Sequence, residues 1–128
     1  MTYVDSSVAL AYLLAEPTAP AVTFWDSELV SSRLLVYEVW NRLYARQLTE
    51  RRHGEVRALL AGIELIELSE PVLARALEPW PTPVRTLDAL HLATADYLRR
   101  LGDLVELASY DNRMIAAAEA MGIPIVLL

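Results

Sequence analysis

Four acidic side chains occupy places in this sequence where reactive groups are commonly held. Asp5 closes the short β-branched and aromatic run Thr2–Asp5 and is followed by the hydroxyls of Ser6 and Ser7. Asp88 stands just after Thr86, at the start of an apolar helical pattern, and Asp111 follows directly on a run ending at Tyr110. Glu38 lies in the second turn of a long amphipathic segment. Carboxylates gathered in one place suit a hard divalent cation, which prefers oxygen ligands. In phosphodiester hydrolysis such a cation neutralises developing charge and activates water. Like charges held close together are costly unless a cation resolves their repulsion. Each acid also has a plain structural use. Asp5 and Asp111 suit helix N-caps, Asp88 complements a helix dipole, and Glu38 has Arg42 four residues on as an ion-pair partner. Asp96, two turns after Asp88 on the same helical face, is a fifth candidate that reads as structural.

The elements that must position these acids follow from periodicity and from helix start and stop signals. Strands are predicted at Thr2–Asp5, Glu28–Ser31, Ile63–Leu68 and Leu104–Tyr110, with an apolar last strand at Pro124–Leu128 that has the character of one buried on both faces. Helices are predicted from Ser6 to Ala15 and after Pro17 through Phe24 and Trp25. A long one over Arg33–Leu48 is capped by Ser32. Others run from Thr49 to Ala61, from Ser69 to Leu77, from Thr86 to Leu101, and over Asn112–Met121. Gly62, Gly102 and Gly122 terminate three of them. The prolines of Glu78-Pro79-Trp80-Pro81-Thr82-Pro83 exclude regular structure there. Strand and helix alternate throughout, which predicts an α/β fold with a mainly parallel sheet and helices on both faces. In open sheets of this kind ligands bind outside the carboxyl ends of the strands, where Asp5 is expected.

Composition narrows the chemistry. The 128 residues predict one domain spanning 1–128. Cysteine is absent, which removes disulfides and thiolate metal sites. All basic side chains are arginine, so P-loop lysines and Schiff bases are excluded. The net charge of −6 argues against a non-specific nucleic-acid coat. No run approaches membrane-span length and no basic region precedes the first apolar run, so a cytoplasmic protein with no membrane association is expected. An apolar fraction of 55% favours a homodimer or another apolar partner.

Three stretches carry a family resemblance. Val4-Asp5-Ser6-Ser7 resembles the N-terminal motif of PIN-domain ribonucleases. Arg85-Thr86-Leu87-Asp88-Ala89-Leu90-His91-Leu92-Ala93-Thr94-Ala95 is similar to the central motif of the VapC toxins of toxin–antitoxin pairs. Ser109-Tyr110-Asp111-Asn112-Arg113-Met114, with the Ala-rich segment and Gly122-Ile123-Pro124 after it, is similar to their C-terminal motif. Thr49 to Trp80 carries no motif. The resemblance implies a three-layer α/β/α sandwich and a metal site of Asp5, Glu38, Asp88 and Asp111, with Ser7 supporting it through its hydroxyl. It further implies Mg2+- or Mn2+-dependent cleavage of RNA by metal-activated water, leaving 5′-phosphate and 3′-hydroxyl ends. The implied partners are an RNA substrate, a VapB-type antitoxin and a second copy of the chain. Asp111 is the least secure ligand, since the fourth acid varies most within the family.

RNA contact is expected from Arg42, Arg46, Arg51 and Arg52, the one dense basic run, by phosphate binding. Those arginines equally form an ordinary solvated face paired with Glu38, Glu50 and Glu55. Trp80, among prolines, is the tryptophan expected to be exposed for base stacking, whereas Trp25 and Trp40 are expected to pack. His91 is expected to pack within its helix and His53 to lie on the surface. A DNA-processing nuclease of similar fold stays open, and so do two functions of other classes. One is a catalytically silent PIN-like binding module. The other is a phosphatase- or dehalogenase-like hydrolase using Asp5 as nucleophile, disfavoured by Ser at position 7 and by the absence of lysine.

Overall fold

A computed structural model describes residues 1–128. Its sheet is built from β1 (Thr2–Val4), β2 (Leu29–Ser32), β3 (Ile63–Ile66) and β4 (Glu106–Ala108), all parallel, in the order β3-β2-β1-β4. The helices are α1 (Ser6–Leu13), α2 (Leu34–Ala45), α3 (Thr49–Ala61), α4 (Glu70–Ala76), α5 (Thr86–Arg100) and α6 (Asn112–Ala120).

The period-2 alternation of the strands divides the core into two layers. Val4, Leu29 and Ala108 face one side, where they pack with Val8, Leu13, Leu35, Val39, Leu43 and Val56 of α1, α2 and α3. Tyr3, Val30 and Leu107 face the other, against Leu92, Leu98, Met114 and Ala117 of α5 and α6. The result is the expected three-layer α/β/α sandwich. The strand order also creates a switch point. After β1 the chain moves to β2 and β3 on one side, then returns through α5 to place β4 on the other side of β1. The crevice of such a sheet opens where the order reverses, outside the carboxyl ends of β1 and β4.

Several boundaries differ from the sequence expectations for identifiable reasons. The segment after Pro17 forms only a 3-10 turn, Val22–Asp26, in which Trp25 packs between Phe24 and Tyr12, with ring centroids at 4.9 and 5.1 Å. The apolar end of the chain is not a strand buried on both faces. Only Ile125 bridges to Leu107, and Leu127 is 98% exposed, because this run lies along the outer edge of β4. Trp80 is half-buried rather than exposed. The Arg75 guanidinium lies over its ring at 4.1 Å and its indole N–H donates to the Ala76 carbonyl. Ser32 does cap α2, its Oγ accepting from the Leu34 N–H at 3.1 Å. Gly102 and Gly122 follow α5 and α6 with φ of +102° and +78°, backbone that glycine adopts without strain.

Candidate active site

A cleft of about 650 Å³ opens at the switch point and is lined by Asp5, Glu38, Asp88 and Asp111 together. Each arrives from a different element. Asp5 follows β1, Glu38 comes from the second turn of α2, Asp88 from the first turn of α5, and Asp111 from the N-cap of α6. Ser6, Ser7, Thr86, Tyr110 and two arginines, Arg42 and Arg85, complete much of the wall.

Asp5 is buried and stands at the N-cap position of α1, yet its carboxylate accepts nothing from the helix backbone. Instead Oδ2 accepts from the hydroxyls of Ser7 at 2.7 Å and Ser109 at 2.8 Å. These serines are themselves fixed: the Tyr110 N–H donates to Ser7 Oγ, and the Asp111 N–H donates to Ser109 Oγ. The ends of β1 and β4 are therefore sewn together around one carboxylate. Ser7, the residue to which the resemblance gives a supporting hydroxyl, thus contacts Asp5 directly. Ser109 has the same part and was not singled out, because nothing in a lone serine distinguishes it until the strands pair.

Asp111 does cap α6, Oδ1 accepting from the N–H groups of Arg113 and Met114, and it lines the cleft as well. The cap bonds use only Oδ1. Asp88 Oδ2 lies 3.4 Å from the Arg85 N–H, a weak bond. Desolvation raises the Asp88 pKa above the ordinary carboxylate value. The Arg85 N–H works against that rise, and the nearby charges of Asp111 and Asp5 add to it. Desolvation is the larger cause, and the smaller push from Asp111 and Asp5 is what a gathered cluster of acids adds.

Glu38 does not pair with Arg42. Oε1 meets His91 Nε2 at 2.5 Å, and Oε2 accepts from Ser6 Oγ at 3.3 Å. His91 is buried and packs within the fold as expected, and it also bonds Glu38, which lines the cleft. Among the basic candidates only Arg42 is on the cleft wall. Arg46 lies at the exposed end of α2, and Arg51 is exposed on α3. Arg52 pairs with Glu55 at 2.9 Å. Arg85 is the cleft arginine that the dense-run argument passed over, since it stands alone in sequence. Asp96 is absent from the cleft; it pairs with Arg75 at 2.6 Å and with Arg99 at 2.8 Å.

The donor set fits a hard cation in its chemistry, with carboxylate oxygens and no sulfur. Asp5, Asp88 and Asp111 each commit one oxygen to the protein, and their other oxygens have no protein donor. As placed, no three of these groups form a ready-made ion-binding cluster. The fit therefore rests on donor chemistry.

The sequence matches the PIN domain over residues 2–126. Ribonuclease VapC46 of Mycobacterium tuberculosis strain H37Rv is 37% identical, across 97% of this chain and 95% of that protein. Ribonuclease VapC47 of Mycobacterium tuberculosis strain CDC 1551 is 30% identical, across 95% of this chain and 93% of that protein. The fold is similar to a chain of a toxin–antitoxin complex from Klebsiella pneumoniae, with a TM-score of 0.66, 17% identity, and coverage of 99% and 97% of the two chains. The chain belongs to the PIN-domain family and to its VapC group.

Proposed function

We propose that this chain is a Mg2+- or Mn2+-dependent endoribonuclease, the toxin of a VapBC-type pair. The observation that carries this reading is the convergence of four carboxylates from four separate elements on one cleft with two arginines in its wall. The ribonuclease names of the two mycobacterial relatives support the substrate class.

Asp5, Glu38, Asp88 and Asp111 would hold the cation. When bound, the cation supplies charge neutralisation at the scissile phosphate and a more acidic water. The remaining work falls to the chain. Ser7 and Ser109 keep the Asp5 carboxylate aimed. The N-cap bonds fix Asp111. Arg42 and Arg85 grip phosphate oxygens and set the register of the strand, without reading bases. A net charge of −6 disfavours loose RNA binding, so productive contact is concentrated at the cleft. A VapB-type antitoxin and a second copy of the chain are the proposed protein partners. Exposed Leu73, Leu77 and Leu87 support apolar association near the start of α5. No helix is long and apolar enough to cross a membrane.

The test uses protein purified free of any antitoxin, incubated with structured RNA and Mn2+. Wild type should cleave, EDTA should stop it, and Asp5→Asn should be inert. Cleavage that persists in EDTA overturns the metal reading. Single-stranded DNA cut as readily as RNA overturns the ribonuclease reading, and a trapped aspartyl intermediate would instead establish Asp5 as a nucleophile.

A further inference from the structure

Behind Glu38 runs a buried polar chain whose members lie far apart in sequence. Tyr3 of β1 is fully buried, and His91 of α5 is 1% exposed. Tyr3 Oη lies 2.7 Å from His91 Nδ1, and the Ser32 N–H donates to the same Oη at 3.1 Å. His91 Nε2 then meets Glu38 Oε1 at 2.5 Å. The hydroxyls of Ser31 and Thr94 flank Tyr3 Oη but donate to the carbonyls of Val4 and Leu90.

The directions of these bonds are constrained. An ionised carboxylate only accepts, so His91 Nε2 must carry a proton facing Glu38. Nδ1 on the other side of the ring pairs with the Tyr3 hydroxyl, whose Oη also accepts from the Ser32 N–H. Every polar atom is satisfied. Packing alone does not account for this arrangement. Burying a phenol and an imidazole costs free energy that Phe and Leu at the same places would avoid. What the polar pair adds is a fixed donor at the cleft edge, where one oxygen of Glu38 is held by His91 and the other by Ser6.

We propose that His91, itself braced by Tyr3, is a positioning residue that orients Glu38 for the cation. The inference rests on the metal-dependent reading given above. Outer ligand partners of this kind, when removed, cost about 10–100-fold in metal affinity or activity.

The experiment measures Mn2+ binding by calorimetry, with melting temperature as the folding control. The variants are His91→Leu, His91→Gln, Tyr3→Phe, Glu38→Gln and the pair His91→Leu with Glu38→Gln. His91→Leu should weaken Mn2+ binding about 10-fold or more. His91→Gln, which keeps an N–H donor toward Glu38, should recover most of that loss, and Tyr3→Phe should show a smaller loss. Against Glu38→Gln, His91→Leu should add nothing further, since both act through one carboxylate. Nitrogen NMR of wild type should find the proton on Nε2. Wild-type Mn2+ affinity in a folded His91→Leu, or full additivity with Glu38→Gln, overturns the inference while leaving the metal reading intact. If His91→Leu fails to fold, His91→Gln and Tyr3→Phe decide it: both at wild-type affinity overturns it. A wild type that binds no Mn2+ overturns both readings.

Discussion

Asp88 and Asp96 lie on the same helix, eight residues apart, and meet opposite electrostatic fates. Asp88 faces other carboxylates. Desolvation raises its pKa, and the charges of Asp111 and Asp5 add to the rise. Asp96 faces cations. Burial pushes its pKa up too, but the guanidinium groups of Arg75 and Arg99 outweigh that and hold it below the usual range. Arg100 adds a further contact at 3.2 Å. Asp96 is a buried acid neutralised by its neighbours, whereas Asp88 is desolvated in the cleft with no cation of the chain paired to it. One end of α5 therefore fastens α4 to the fold, while the other end presents charge to the cleft.

This contrast can be broken by experiment. The largest effect should come from Asp88→Asn, which removes one proposed ligand. RNA cleavage in Mn2+ should fall by about 100-fold or more, several kcal/mol of transition-state stabilisation. Thermal unfolding of that variant should be no lower than wild type, because a repelled charge has been removed; a clear drop in Tm would mark Asp88 as structural. Asp96→Asn should do the reverse. Leaving Arg75 without its buried counter-charge should cost about 3 kcal/mol of stability in denaturant titration, with cleavage by the surviving folded protein unchanged.

The pH dependence of that second gap has a definite sign. The pKa of Asp96 is depressed in the folded state, so its contribution is present above the unfolded carboxylate value of about 3.9. It is lost as pH falls through the folded value. The difference between wild type and Asp96→Asn should thus be level near neutrality and should close in acid; a gap that widens in acid contradicts the ion-pair account. Ser109→Ala sharpens the comparison at the cleft. It deletes one of the two hydroxyls on Asp5 Oδ2 and should lower cleavage about 10-fold, with a stability loss of about 1–2 kcal/mol. The smallest effect should be Glu67→Gln. Its bond to Arg33 is 2.7 Å but both side chains are well exposed, so the loss should stay within about 0.5 kcal/mol.

Much of the architecture was legible because it is local. Ser32 before α2, Asp111 before α6, and the glycines after α5 and α6 announce helix ends through their own side chains or backbone freedom. The alternation along Tyr3 and Val4 already assigns them to opposite faces. The misread regions are those where local pattern and tertiary setting part. The run Pro124–Leu128 is as apolar as a central strand, yet only neighbouring strands make a strand central, and it has one on a single side. Trp80 among prolines has the look of an exposed ring until Arg75 covers it.

By itself the sequence determined which residues carry negative charge at the ends of elements, and its motifs matched those of the PIN-domain family. Those properties reside in single residues and short spacings. Only the tertiary structure decided which polar groups serve which. Ser109 reaches Asp5 across 104 positions, Tyr3 reaches His91 across 88, and His91 reaches Glu38 across 53. A hydrogen bond of that kind needs its partners placed to within a few tenths of an ångström. Helix–sheet packing sets that placement, and it is not written at either residue alone.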